Sequence, residues 1–300
     1  MGDYLVKALA YDGNIRAQAI CSTNMVGEAQ RRHDVWPTAS AALGRVMTAT
    51  TMLAAQLKGE DQLTVTIEGG GPIGAIIANA DAQGGTRGYL GTPHVHFELN
   101  KWGKLDVARA VGTEGNLSVI KDIGLKENFT GRVPLVSGEI GDDFTYYLAH
   151  SEQVPSAVGV GVLVNPDHSI NAAGGFLIQL LPDVPDEIIA KVEKRLSEIP
   201  NVSQMVDKGL SPEEMLIAIF GEDNVKFLEK EDVQFRCRCS REAISNTIVG
   251  LGKAEIEAMI TEDKGAEVTC RFCNETYQFS EKELRKLYQS LIDDESEESI

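Results

Sequence analysis

The chain has 300 residues, which is enough for about two domains. Of these residues 43% are hydrophobic and 24% charged, a composition that supports buried cores and is too apolar for wholesale disorder. Its 28 Lys and Arg against 45 Asp and Glu give a formal net charge of −17, which disfavours nucleic-acid and anionic-membrane partners, because both are bound through positive surfaces. The N-terminus lacks a signal-peptide pattern and no apolar run approaches the roughly 20 residues of a membrane span, so we expect a cytoplasmic protein.

Residues 1–180 are predicted to form an α+β domain of mixed strands and helices. Residues 63–68 alternate apolar and polar side chains, and a Gly-Gly-Gly-Pro run at 69–72 interrupts the pattern before a second apolar stretch at 73–78, which predicts a hairpin. Further strands are predicted at 92–99, 115–121, 129–136, 158–164 and 174–180, and helices at 38–57 and 142–152. Many strands with few intervening helices favour an α+β fold over a doubly wound one.

Residues 181–232 are predicted to form a helical linker, with a helical pattern that continues to residue 230. Apolar residues recur there at spacings of four, four and three, which is the period of an amphipathic helix. This linker stripe consists of Ile188, Val192, Leu196 and Ile199. Ser211 and Glu214 form the pattern of a capping box at the start of another helix, which Gly221 should end. We expect the apolar faces of these helices to pack against a core.

The strongest motif lies in a third predicted domain, residues 233–290. Two close pairs of cysteines, Cys237 with Cys239 and Cys270 with Cys273, are separated by 30 residues. Four soft thiolates from two such pairs bind one Zn²⁺ tetrahedrally, and sulfur at all four corners leaves no open position for water or substrate. The sequence therefore predicts a small C-terminal zinc-binding domain with one structural Zn²⁺ per chain, and no catalytic zinc.

The rest of this domain carries short structural signals. Residues 267–269 and 277–279, on either side of the second cysteine pair, have strand-like composition. Ser280 and Glu283 form a second capping-box pattern, which predicts a final helix. Residues 291–300 contain acidic side chains without any basic one, and we predict that this acidic tail is disordered.

The spacing of the first cysteine pair indicates a redox switch. A single residue separates Cys237 from Cys239, so a disulfide between them would close a small, strained ring, and strained bridges are readily reopened. Neighbouring arginines should favour thiolate over thiol; they are Arg236, Arg238, Arg241 and Arg271. Because zinc binding supplies folding free energy to a small module, oxidation of the ligands should remove the ion and unfold the domain.

Two other functions stay open for the cysteine domain. A static zinc ribbon could bind nucleic acid through the arginines, although the net charge of −17 argues against it. A thiol-disulfide oxidoreductase could use Cys270 and Cys273, although such a pair usually begins a helix of a thioredoxin-like fold. The sequence contains no Gly-x-Ser-x-Gly nucleophile motif, and the glycine run at 69–72 lacks the Lys-Ser or Lys-Thr of a phosphate loop. We therefore expect no enzymatic activity.

Several motifs together resemble a known family. They are Arg31-Arg32-His33, Trp36-Pro37-Thr38-Ala39, Ala42-Leu43-Gly44-Arg45, Glu68-Gly69-Gly70-Gly71-Pro72, Gly138-Glu139, Tyr146-Tyr147, Ser151-Glu152-Gln153, Gly174-Gly175-Phe176 and the two cysteine pairs. These motifs, in this order, resemble the bacterial redox-regulated chaperone family, the 33 kDa chaperonin or heat-shock protein 33. The resemblance covers essentially the whole chain up to the acidic tail.

The resemblance implies an ATP-independent holdase chaperone whose reduced, zinc-bound form is an inactive monomer. Peroxide or hypochlorous acid, with heat, would form the disulfides Cys237–Cys239 and Cys270–Cys273, release Zn²⁺ and unfold the C-terminal region. The oxidised homodimer would then hold unfolding client proteins on newly exposed apolar surface. We expect the linker stripe to contribute to client binding, whereas Cys21 has no counterpart in the switch and should be a core or half-exposed residue.

Overall fold

The computed structural model describes the backbone of residues 2–297 and the side chains of residues 2–292. The described chain divides after Arg236 into two compact units. The strands of the first unit are β1 (Tyr4–Ala10), β2 (Ile15–Cys21), β3 (Gln62–Glu68), β4 (Ile76–Asp81), β5 (Gly85–Leu90), β6 (Asn116–Asp122), β7 (Phe129–Pro134), β8 (Ser156–Val164), β9 (Ile170–Leu180), β10 (Val225–Asp232) and β11 (Gln234–Phe235). Its helices are α1 (Thr23–His33), α2 (Pro37–Ala54), α3 (Val107–Val111), α4 (Gly141–His150), α5 (Asp186–Glu198), α6 (Val202–Asp207) and α7 (Pro212–Phe220).

Two sheets organise the first unit. One has five strands in the order β10-β1-β2-β9-β8, and the other has six in the order β11-β5-β4-β3-β6-β7. The predicted hairpin is β3 with β4, which pair antiparallel with Ile67 opposite Ile76. The strands predicted near β6, β7, β8 and β9 and the helices predicted near α2 and α4 are also present. The predicted α+β class is therefore confirmed.

Helix α2 packs against strands of both sheets and forms the centre of the main core. Every residue of this helix is buried except Arg45, and most of its side chains are small, which lets neighbouring elements approach closely. A Cβ at Gly44 would lie 2.5 Å from Cγ1 of Val26 and 2.8 Å from Cγ2 of Val162. Any larger residue at position 44 would therefore push α1 or β8 away from the helix.

Helices α6 and α7 pack on the five-stranded sheet, and α5 packs on α7. Apolar side chains of these linker helices and of β1, β2 and β9 form a second buried cluster, here called the linker cluster: Ala8, Ala10, Ile15, Ala17, Ala19, Phe176, Ile178, Val192, Val202, Met205, Met215, Leu216, Ile219 and Phe220. Strand β2 gives Ile15 and Ala17 to this cluster and Ile20 to the main core, so it is buried on both faces. The predicted capping box is present, because Ser211 Oγ accepts a hydrogen bond of 3.2 Å from the backbone N–H of Glu214. The predicted domain boundaries after residues 180, 232 and 290 stay predictions.

Three sequence predictions differ from the structure. The helical pattern predicted to residue 230 ends at Phe220, and β10 follows it because this segment finds a partner in β1, with Tyr4 opposite Asp232. Residues 92–99 form no strand; the backbone carbonyl of Val95 instead accepts a hydrogen bond from the N–H of Ala39 at the start of α2. The predicted disordered tail is helical from residue 291 to Glu297, and residues 298–300 lie outside the described residues.

The second unit is small and has its own core. It contains α8 (Arg241–Val249), α9 (Lys253–Thr261), β12 (Gly265–Thr269), β13 (Thr276–Ser280) and α10 (Glu281–Glu297). Its fully or almost fully buried apolar side chains are Ile248, Ile256, Ile260, Phe279 and Leu284. Strands β12 and β13 pair antiparallel, as the strand-like composition of residues 267–269 and 277–279 predicts. Among the described residues, no helix combines the length and apolar character that crossing a bilayer requires.

Candidate metal centre

Two turns of the second unit position the four cysteines of the predicted zinc site. Cys237 and Cys239 lie just before α8, whose N-cap Ser240 accepts a hydrogen bond of 3.1 Å from the N–H of Ala243. Cys270 and Cys273 lie in the turn between β12 and β13, which a hydrogen bond of 2.8 Å from the Asn274 N–H to the Cys270 carbonyl closes. Local hydrogen bonds therefore hold the turn of the second cysteine pair and the start of the helix that follows the first pair.

The four Sγ atoms form a compact cluster and all lie within 4.8 Å of one another. Cys237 Sγ is 3.7 Å from Cys270 Sγ, and Cys239 Sγ is 3.3 Å from Cys273 Sγ. Tetrahedral Zn²⁺ with bonds of about 2.3 Å separates its sulfurs by about 3.8 Å, so the observed spacing fits such an ion after small adjustments. None of the five cysteines, all of which lie among the described residues, forms a disulfide.

Burial favours the protonated form of two of the four thiols, those of Cys239 and Cys273. Removal from water raises the pKa of Cys239 and, more strongly, that of Cys273. The Tyr277 hydroxyl donates a hydrogen bond of 3.3 Å to Cys239 Sγ, and this bond raises the pKa of Tyr277, so the hydroxyl keeps its proton. At Cys239 and Cys273, metal binding must therefore displace thiol protons.

Two of the four arginines that neighbour the cysteines in sequence form ion pairs with carboxylates. Arg241 donates hydrogen bonds to Glu283 Oε1 at 2.6 Å and to the Gln278 carbonyl at 2.7 Å. Its positive charge is therefore paired with a carboxylate of the same unit. Arg236 pairs with Asp81 of the first unit, at 2.7 and 2.8 Å. Burial dominates the pKa of Cys239 and Cys273.

The other predicted site residues lie in the first unit. Val192 is buried in the linker cluster, and the three remaining residues of the linker stripe are partly buried against it. Cys21 is half-buried at the end of β2, with its Sγ 3.7 Å from Thr23 Oγ1, and is not one of the four clustered cysteines. The predicted stripe is thus packed into the linker cluster.

The turn around Cys270 and Cys273 also bears on the oxidoreductase alternative. Cys270 follows β12 directly, and Cys273 precedes β13 by two residues. The pair therefore lies in a turn between strands, whereas thioredoxin-like enzymes place it at the start of a helix, where the helix dipole lowers the thiol pKa. The sequence analysis did not predict that Tyr277 would donate a hydrogen bond to a cysteine of this cluster. The one indication in the sequence is that an aromatic residue lies four positions after Cys273.

The comparisons with known proteins agree with this arrangement. The sequence model of the family described as "Hsp33 protein" matches residues 3–280. The chain is 64% identical over 289 residues to the 33 kDa chaperonin of Halalkalibacterium halodurans, covering 96% of this chain and 99% of that protein. It is 62% identical over 285 residues to the 33 kDa chaperonin of Bacillus subtilis, covering 95% and 98% of the two chains.

A solved structure shows the same fold. The crystal structure of the 33 kDa chaperonin (heat shock protein 33 homolog) from Thermotoga maritima matches with a TM-score of 0.91 and 36% sequence identity. The match covers 98% of this chain and 100% of that one. The chain therefore belongs to the Hsp33 protein family, a family of chaperones.

Proposed function

We propose that this chaperone is a redox-regulated, ATP-independent holdase that binds unfolding proteins once its cysteine centre has been oxidised. The observation that carries the proposal is the cluster of four cysteines, outside any disulfide, whose Sγ atoms lie within 4.8 Å of one another. The excess of acidic residues supports a cytoplasmic protein without nucleic-acid or membrane partners. No enzymatic step is needed, because the function consists of binding.

In the reduced chain, Cys237, Cys239, Cys270 and Cys273 would hold one Zn²⁺. When bound, the ion supplies the positive charge that keeps the four sulfurs deprotonated and joins the two turns. The residues themselves favour this state because the Tyr277 hydroxyl donates a hydrogen bond to Cys239 Sγ. The core described for this unit is small, with five almost fully buried apolar side chains and eight partly buried ones packed against them, so its stability should depend on the metal site.

Oxidation would remove the donors of the site. In each disulfide, two thiols lose their two protons and two electrons to one molecule of hydrogen peroxide, which becomes two molecules of water. We propose the bridges Cys237–Cys239 and Cys270–Cys273, following the family resemblance. The short Sγ distances also bring Cys237 near Cys270 and Cys239 near Cys273, so peptide mapping of the oxidised chain decides between the two pairings.

The loss of metal would unfold the second unit, because metal binding contributes about 10–16 kcal/mol in comparable small modules. We propose that the linker helices then leave the five-stranded sheet. Their departure would expose the linker stripe and the sheet residues of the linker cluster, which include Ile15 and Phe176. Contiguous apolar surface of this kind binds unfolded polypeptides and favours association into the oxidised homodimer.

The test follows metal, thiols and chaperone activity together. Reduced, zinc-loaded protein is treated with hydrogen peroxide at raised temperature, and released zinc, free thiols and light scattering of a denatured client are recorded. We expect one zinc ion to be released, free thiols to fall from the five of the reduced chain to one, and scattering to be suppressed after oxidation only. Equal suppression before and after oxidation would contradict the switch.

Two cysteine variants provide the matched comparison. Cys21→Ser removes a thiol outside the cluster, and we expect its zinc release and activation to equal those of the wild type. Cys239→Ser removes a proposed ligand, so zinc should bind far more weakly and activation should no longer reverse cleanly on reduction. Equal behaviour of the two variants would show that the cluster is not the switch.

A further inference from the structure

The segment that leads to the cysteine centre is held on the edge of the six-stranded sheet. This segment, residues 232–236, is called the strap here. Its two-residue strand β11 pairs in parallel with Gly85 and Thr86 of β5. The Gln234 N–H donates to the Gly84 carbonyl at 3.0 Å, and the Arg236 N–H donates to the Thr86 carbonyl at 2.9 Å. The strap thus binds as an added strand.

Side chains at three positions of the strap give this pairing its specificity. Val233 is 5% exposed and belongs to the main core. Phe235 packs against the same core, and the Arg32 guanidinium lies 5.3 Å from the centre of its ring. Arg236 Nη2 lies 2.7 and 2.8 Å from the two carboxylate oxygens of Asp81. The recognised pattern is an extended segment with apolar residues at the second and fourth positions of the strap and arginine at the fifth.

The carboxylate of Asp81 is built into the sheet end. Its side chain is only 5% exposed, and Oδ1 also accepts hydrogen bonds from the N–H groups of Gln83 at 2.9 Å and Gly85 at 3.0 Å. These bonds fix the carboxylate in place whether or not Arg236 is present. A buried anion that loses its cation is strongly destabilised, so an empty site would favour another guanidinium.

Two glycines shape the floor of this site. A Cβ at Gly84 would collide with the carbonyl oxygen of Asp232, and a Cβ at Gly85 would collide with the guanidinium of Arg236. Gly84 also has a φ of +76°, which glycine adopts without strain. At these two positions the surface under the strap is backbone alone, which allows another backbone to approach as closely as the strap does.

We propose that this edge of β5 is a docking site for client segments, which the strap occupies in the reduced chain. Arg236 directly precedes Cys237, so unfolding of the cysteine unit frees the end of the strap that carries the ion pair. Extended client segments with two apolar residues and an arginine in the strap's spacing then add to β5 and pair with Asp81. This inference rests on the proposed oxidation-dependent unfolding.

The test uses the strap's own sequence as a probe. A labelled heptapeptide of residues 230–236 and a second peptide with glutamine in place of its arginine are titrated with full-length protein, and anisotropy reports binding. We expect the reduced, zinc-loaded protein to bind neither. The oxidised protein should bind the arginine peptide about thirtyfold more tightly than the glutamine peptide. Because the change is in the peptide, this comparison does not depend on the folding of any variant.

Protein variants then locate the peptide site. Asp81→Asn should reduce the affinity of the oxidised protein for the arginine peptide by about thirtyfold, whereas Asp223→Asn, which removes an exposed carboxylate, should leave it unchanged. The proposal is overturned if oxidised wild type binds both peptides equally, or if Asp81→Asn binds the arginine peptide as tightly as the wild type does.

A further variant separates this proposal from the proposed function. Arg236→Gln removes the ion pair of the strap and keeps all four clustered cysteines, so the reduced, zinc-loaded variant should bind the arginine peptide without oxidation. Such binding supports the docking site even if oxidised wild type fails to suppress aggregation, a failure that would overturn only the holdase switch. Suppression by the oxidised wild type without any preference for the arginine peptide overturns only the docking site.

Discussion

The packing of α7 on the five-stranded sheet determines how firmly the linker is held, and Ile219 tests it. Ile219 is 0% exposed and lies in the linker cluster. Replacing a buried isoleucine with alanine costs about 2–5 kcal/mol. The cluster also contains Ala17 and Ala19, whose short side chains cannot fill the cavity that Ile219→Ala leaves. We therefore expect the variant to lose about 3 kcal/mol of packing free energy. Since about 1.4 kcal/mol is a factor of ten, the undocked fraction should rise roughly 100-fold.

Hydrogen exchange of the reduced protein measures this effect. In Ile219→Ala the amides of α5 to α7 should exchange faster than in the wild type, and the reduced variant should already suppress client aggregation in part. Ile217→Ala is the matched control, because Ile217 is on the same helix and is only half-buried. Equal exchange in the two variants, or exchange unchanged from the wild type in Ile219→Ala, would refute the view that this packing holds the linker.

Three further predictions follow from single contacts. Burial, together with the hydrogen bond that Tyr4 donates to Glu213, raises the pKa of Tyr4 to about 12. The protonated Tyr4 side chain therefore contributes fully to the stability of the fold below about pH 10, and this contribution is lost as the pH rises through about 12. Melting temperatures of the wild type should therefore fall more steeply than those of Tyr4→Phe over this range; parallel curves would contradict the assignment. Ser280→Ala removes the capping box and should destabilise the cysteine unit by about 1 kcal/mol in denaturant titrations; an unchanged midpoint would mean that the cap is dispensable. Tyr277→Phe removes the donor to Cys239 and should weaken zinc binding by about 10–100-fold in competition with a chelator, and unaltered affinity would exclude a supporting role for the hydroxyl.

Local signals in the sequence were sufficient for several elements. The hairpin of β3 and β4 follows from alternation broken by a glycine run, and α7 follows from its capping box and from Gly221. The cysteine spacing likewise predicts a cluster, which the structure contains. In each case the determining residues are neighbours along the chain, so no knowledge of distant contacts is required.

Other elements depend on contacts that are distant in sequence. Strand β2 shows no clean alternation because it is covered on both faces, which removes the usual signal of a half-buried strand. Residues 92–99 have strand-like composition but lie against α2 instead of a strand. The pairing of Asp81 with Arg236 joins residues 155 positions apart, and no local pattern in the sequence indicates it.

The two segments that join the linker to the cysteine centre differ in how strongly they are held, and this difference sets an order of release. Strand β10 pairs along the whole of β1, and Lys7 reinforces it through Glu229 at 3.2 Å and Glu231 at 2.5 Å. The strap has a two-residue ladder, a half-buried ion pair and the packing of Val233 and Phe235 on the main core. Because unfolding that starts at Cys237 reaches the strap first, mild oxidation should open the edge of β5 while β10 and the linker helices stay docked. Arginine-bearing extended segments would then bind before the broader apolar surface is exposed.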